Sequence, residues 1–225
     1  MQIIKLSQSE DRIAWLEARR GVVTGSKAKK VKPLSRGVDR TPAGFWELLS
    51  DKVSIAKDAE PDMARGHRLE PESVDLVAEK YSLGEVDSDC GMWVSDENAA
   101  IAVSPDGSEK SDTPTFAIET KSLSSPLHIK YIVKDRRAKK LEGYRPFDNV
   151  PDDFKEQVLQ YFVVNENLKT MYFALYDDRM AFDHLMHYVI VIDRSDVKEE
   201  IMAQMIIQDN VIKQVNETLT EIINE

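Results

Sequence analysis

Asp106, Glu119 and Lys121 are the residues whose types and spacing best suit chemistry. They fall in Ser104-Pro105-Asp106-Gly107 and Glu119-Thr120-Lys121, separated by the twelve residues from Gly107 through Ile118. Glu119 and Lys121 stand two apart in a β-type run, so their side chains share one face of a strand. Asp106 is expected at a turn ending the preceding strand, within hairpin reach of Glu119. Two carboxylates and an ammonium in one pocket are hard ligands suited to Mg²⁺ or Mn²⁺, ions held by one or two carboxylates with water and substrate phosphate. The lysine can then orient or deprotonate a water and stabilise charge growing on phosphorus oxygens. By themselves these residues support metal-dependent phosphodiester hydrolysis and nothing finer. They equally allow a bland reading, with Pro105-Asp106-Gly107 as a common turn and Glu119 and Lys121 as a solvent-facing pair.

The surrounding elements must position this trio. Ser9 can cap a helix carrying Ile13, Trp15, Leu16 and Ala18, and Thr41-Pro42 opens a second helix with Phe45, Leu48, Leu49 and Val53 on one face. A third helical pattern runs from about Asp62 to Tyr81, with Leu69, Val74, Leu76 and Val77 as core candidates. Pro71 predicts a bend or break just after Glu70, because an interior proline removes a hydrogen bond. Short β-type runs follow at Met92 to Val94, Ala99 to Val103 and Thr115 to Thr120. Helical patterns return at Leu127 to Lys139 and Asp152 to Val164, where Phe154, Val158, Tyr161 and Phe162 share a face. Strands at Met171 to Tyr176 and His187 to Ile192 flank a turn at Asp177-Asp178-Arg179. A long amphipathic helix from Val197 to Ile223 closes the chain. The pattern predicts one α/β or α+β domain over 1–225: a helical part to about 82, a sheet core from about 85 to 193, and a helix from about 195.

Composition narrows the class. The 225 residues are 42% hydrophobic and 31% charged, ordinary for a soluble enzyme and too apolar for a disordered chain. No run approaches the ~18 apolar residues of a membrane span, and the opening residues turn polar too soon for a secretory signal. One cysteine, Cys90, excludes an internal disulfide framework and a cysteine zinc site. The expected compartment is the cytoplasm. A net charge of -10 argues against DNA, whose phosphates need Lys and Arg, until its distribution is seen. Arg12 to Arg40 holds nine bases against two acids, and His128 to Arg145 seven against two. Glu85 to Glu97 holds five acids and no base, and Asp196 to Glu225 seven acids against two bases. Locally basic surfaces on an acidic body suit an enzyme that grips DNA at one place. His67, His184 and His187 lack zinc-site spacing, and no Walker-type loop predicts an ATP-driven motor.

Along its length the chain resembles the lambda exonuclease family, the phage-type recombination exonucleases also called YqaJ-like viral recombinases. The likeness runs from about Trp15 to Asp193. It comprises the opening Trp15 to Ser26, Arg65-Gly66-His67-Arg68-Leu69-Glu70, the two core motifs, Gln157 with Tyr161, and Tyr172 to Met180 with His187 to Ile190. The resemblance implies a restriction-endonuclease-like PD-(D/E)xK fold, a mixed β-sheet flanked by helices. It implies that Asp106, Glu119 and the Thr120 carbonyl bind Mg²⁺ or Mn²⁺, that Glu70 acts at or beside a second ion, and that Lys121 acts on the water. Gln157 and Tyr161 would support the site. Arg19, Ser26 and Ser104 correspond to residues that hold a 5′-phosphate. The family's arginine shortly after the catalytic lysine is replaced by Ser125-Pro126-Leu127-His128-Ile129-Lys130, so His128 or Lys130 is the expected substitute.

The implied activity is degradation of one strand of linear double-stranded DNA from its 5′ end, leaving 3′ overhangs for recombination. A single-strand annealing protein is the implied partner, and a homotrimer around the duplex the implied assembly. An endonuclease on the same scaffold and a non-catalytic DNA-binding protein are the alternatives. Retention of Asp106, Glu119 and Lys121 together speaks against the second.

Overall fold

The structure, a computed structural model, describes residues 62–91, 93–98 and 101–209, together with Trp46, Ser50 and Ser54. The two expected N-terminal helices, Arg19, Ser26 and the end of the C-terminal helix lie outside these residues. Among the described residues the chain forms two compact units. One contains 62–69, 122–137 and 175–188, and the other 70–121, 138–174 and 189–209.

A five-stranded sheet lies mostly in the second unit, its three longer strands rich in apolar residues. Its strands are β1 (Val86–Asp87), β4 (Gly107–Glu109), β5 (Phe116–Lys121), β6 (Thr170–Tyr176) and β7 (His187–Asp193), in the order β1-β4-β5-β6-β7. Pairing of β1 with β4 and of β4 with β5 is antiparallel. The start of β6 meets the start of β5, where Lys169 and Thr170 donate backbone hydrogen bonds to the Thr115 carbonyl. A small antiparallel pair, β2 (Trp93–Val94) with β3 (Ala102–Val103), stands apart from this sheet. The expected β-type runs contain the strands β2, β3, β5, β6 and β7, while Met92 and Ala99 lie outside the described residues. β1 and β4, two and three residues long, escape a reading based on alternation.

Helix α1 (Asp62–Tyr81) is continuous through Pro71, so the expected break after Glu70 does not occur. The proline forfeits one backbone bond, but Leu69 before it and Val74 and Val77 after it are buried. Leu76 is only half-buried, because the core-facing row runs through Ser73, Val74 and Val77 instead. Val74 and Val77 pack with Ile118 of β5, Ala174 of β6 and Val189 of β7. Gly107 lies tightly against this helix: a Cβ there would lie 2.8 Å from Val74 Cγ1 and 3.3 Å from Ile118 Cδ1. The glycine of Pro-Asp-Gly is therefore favoured by packing, since any side chain there would force Val74 to shift.

α3 (Lys155–Val164) buries Val158, Leu159, Tyr161, Phe162 and Val164, and a 3₁₀ turn at Asp152–Phe154 leads into it. Residues 198–209 are helical, with Ile201 in the core and Gln204 donating to the Gln160 side chain at 2.8 Å.

The first unit contains α2 (Ser125–Ala138) and α4 (Asp183–Met186), with Trp46, Ile129, Met180 and Leu185 in one apolar cluster. Its polar centre is Asp177, which is fully buried. Arg65 Nη2 and Arg179 Nε each lie 2.7 Å from its Oδ1. Burial alone would raise the Asp177 pKa, but the hydrogen bonds of Arg179 and Ser125 and the Arg179 charge hold it below the usual carboxylate value. Arg179 also donates to the Leu123 carbonyl at 2.9 Å.

Candidate active site

The β4–β5 register builds the site. Gly107 pairs with Ile118 and Ser108 with Ala117, so the residue before β4, Asp106, faces Glu119. The Asp106 N–H donates to the Ile118 carbonyl at 3.2 Å. In return the Thr120 N–H donates to Asp106 Oδ2 at 2.7 Å, which fixes the carboxylate. Asp106 thus opens β4 and does not close the strand before it, but its place opposite Glu119 is the expected one.

Glu119 is 1% exposed, and a buried carboxylate must be paired or hydrogen-bonded. Three side chains do this. Gln157 Nε2 donates to Oε1 at 2.8 Å, the Lys121 ammonium pairs with Oε1, and the Tyr161 hydroxyl donates to Oε2. That hydroxyl is also 3.0 Å from the Ser104 carbonyl. Burial first, then the Glu119 charge and the hydrogen bond to it, push the Tyr161 pKa far upward, so the phenol stays a donor. Gln157 and Tyr161 are four apart on α3 and so occupy one face of the helix. The Lys121 side chain is 24% exposed, and its Nζ lies over the Phe154 ring, 5.2 Å from the centroid.

Asp106 is half-buried, and its pKa is pushed up to about 7. Burial contributes most, then the Glu119 charge; Glu70 adds to the rise, while the Thr120 N–H and Lys121 oppose it. The pocket therefore concentrates negative charge that a cation would relieve. Among the described residues, no three His, Cys, Asp or Glu side chains come close enough to cage a metal ion. Two facing carboxylates fit the sparser demand of Mg²⁺, which retains several waters.

The structure thus brings together Asp106, Glu119, Thr120, Lys121, Gln157 and Tyr161, with Ser104 contributing its carbonyl and Glu70 acting electrostatically on Asp106. His128 is a correction. It is fully buried in the first unit, its Nε2 is 2.7 Å from the Leu185 carbonyl, and burial lowers its pKa. A neutral core imidazole committed to a backbone carbonyl cannot serve a terminal phosphate. Lys130, in the same unit, is half-buried with its ammonium 5.9 Å from the Tyr131 ring centroid. The Phe154 contact with Lys121 was not legible beforehand, since only its membership of an apolar helix face is written in the sequence.

The YqaJ-like viral recombinase domain family matches residues 14–168 of the chain. Among curated proteins, none matches. Two solved structures are similar. LHK-Exo, an alkaline exonuclease from Laribacter hongkongensis, is 22% identical with a TM-score of 0.47, over 93% of this chain and 98% of that one. LHK-Exo in complex with dAMP is 21% identical, with the same TM-score and coverage.

Proposed function

Because the chain belongs to the YqaJ-like viral recombinase family, we propose that it is a Mg²⁺-dependent deoxyribonuclease that degrades one strand of linear double-stranded DNA from the 5′ end. The observation that carries this reading is Asp106 facing Glu119 across the β4–β5 register, with Lys121 beside them. The 3′ overhang left behind is the substrate for homologous recombination, with a single-strand annealing protein as partner and a homotrimer as working form. The reaction takes place in the cytoplasm.

Asp106, Glu119 and the Thr120 carbonyl would hold Mg²⁺ or Mn²⁺, with Glu70 beside a second ion. The metal, when bound, supplies a Lewis acid for the phosphoryl oxygens and lowers the pKa of an attacking water. The chain's own residues do the rest. Gln157 and Tyr161 lock the Glu119 carboxylate in one orientation, as partners behind a ligand do. Lys121 projects its ammonium on the same strand face as Glu119, where it can stabilise charge on the phosphate and orient the water. Arg19, Ser26 and Ser104 are the proposed contacts of the 5′-phosphate, with Lys130 the remaining candidate for the family's missing arginine.

The test is digestion of linear duplex beside covalently closed circular duplex, with Mg²⁺ and with EDTA. Degradation of the linear form alone, dependent on Mg²⁺ and lost in Lys121→Ala, supports the reading. Cleavage of the closed circle would favour an endonuclease, and wild-type turnover by Lys121→Ala would overturn the site.

A further inference from the structure

Phe154 stands at a corner. Its N–H donates to the Pro151 carbonyl at 2.9 Å, closing the 3₁₀ turn, and it is the N-cap residue of α3. One neighbour of its ring is Phe173 of β6, fully buried, with centroids 5.9 Å apart and planes tilted by 36°. Another is the Lys121 ammonium, 5.2 Å from the ring centroid. That distance is inside the ~6 Å within which an aromatic face attracts a cation electrostatically. The same ammonium pairs with Glu119. Lys121 is therefore held by a carboxylate and by a ring that itself rests on the core.

These two contacts restrain the lysine differently. The carboxylate is a strong partner, but it is also a proposed metal ligand, so its charge is shared once a cation binds. The ring offers no lone pair for a hard cation and keeps its attraction for the ammonium throughout. A lysine side chain has four rotatable carbons and much rotamer entropy to lose. Without a second contact, the ammonium of a strand-end lysine would be free to swing into solvent.

We propose that Phe154 is a positioning residue for Lys121, its ring holding the ammonium at the reacting centre. This rests on the catalytic role of Lys121 proposed above. Phe154→Leu keeps apolar volume beside Phe173 and removes the π face. Phe154→Tyr keeps both. The expected result on linear duplex is a roughly 2- to 30-fold fall in kcat for Phe154→Leu with KM unchanged, and recovery of most of the rate in Phe154→Tyr.

A readout independent of activity accompanies it. In metal-free protein the Lys121 ε-methylene resonance should be displaced upfield by the ring, lose that displacement in Phe154→Leu and retain it in Phe154→Tyr. Wild-type kcat in Phe154→Leu, or equal loss in the Leu and Tyr variants, would overturn the proposal, the second outcome marking Phe154 as packing alone. Lys121→Ala assayed alongside separates the two levels. If it is inactive while Phe154→Leu is fully active, only the role of Phe154 falls. If it is active, the catalytic reading of Lys121 falls with it.

Discussion

Asp106→Asn should make the metal-free protein more stable above about pH 4, with the full gain reached by about pH 7. Folding lifts the Asp106 pKa from 3.8 to about 7, so the folded state favours the protonated carboxyl more than the unfolded chain does. The stability this group contributes is fully present below pH 3.8 and is lost as pH rises through about 7. At about 1.4 kcal/mol per pH unit, the full loss is about 4 kcal/mol. Solvent screening of a half-buried carboxylate brings the expected value to about 2–4 kcal/mol. Asparagine is nearly isosteric, stays neutral, and its Oδ1 can still accept the Thr120 N–H bond made by Asp106. Urea denaturation in EDTA, at intervals from pH 4 to 8.5, should therefore give nearly equal stabilities at about pH 4 and an excess for Asp106→Asn that grows between there and about pH 7 and then levels off. Adding Mg²⁺ at pH 8 should stabilise the wild type more and narrow the gap, since a ligand bound only to the folded state adds to its stability. A variant no more stable than the wild type at pH 8 in EDTA would refute the crowding of negative charge on which the metal assignment leans.

Three other perturbations reach different parts of the site. Tyr161→Phe removes the donor to Glu119. It should cut kcat by about 10- to 100-fold and weaken Mg²⁺ binding, as loss of a partner behind a metal ligand does; unchanged metal affinity by calorimetry would contradict this. Gly107→Ala places a methyl 2.8 Å from Val74 Cγ1 and should cost about 1–3 kcal/mol in thermal or urea unfolding, a loss that Val74→Ala in the same chain should partly relieve. Arg19→Ala should reduce the preference for 5′-phosphorylated over 5′-hydroxyl ends more than it reduces the intrinsic rate, measured on paired substrates; full retention of the preference would move the phosphate pocket elsewhere.

What could be read from the sequence was local. The two-residue step from Glu119 to Lys121 and the turn chemistry of Pro105-Asp106-Gly107 were enough to place both carboxylates on one hairpin, as the Gly107–Ile118 pairing shows. The four-residue step from Gln157 to Tyr161 likewise gave one helix face, and both side chains meet Glu119. What failed depended on burial or on distance along the chain. His128 looks polar and available in a basic segment, but α2 turns it inward to the Leu185 carbonyl, 57 residues away. Arg65 and Asp177, 112 residues apart, are joined by nothing that periodicity reveals. Pro71 does not end its helix, because tertiary packing such as that of Val74 and Val77 outweighs local propensity. Phe154 reads as one more apolar residue until β5 brings Lys121 beside it.

The most direct test of the central claim follows each strand of one linear duplex, labelled at the 5′ end in one preparation and at the 3′ end in another. With Mg²⁺, the 5′ label should be released early as a mononucleotide, while the 3′-labelled strand shortens progressively from its other end and keeps its label. EDTA, Asp106→Ala and Glu119→Ala should each abolish both effects without unfolding the protein. Early release of the 3′ label would contradict the direction, and undiminished digestion by Glu119→Ala would contradict the active site itself.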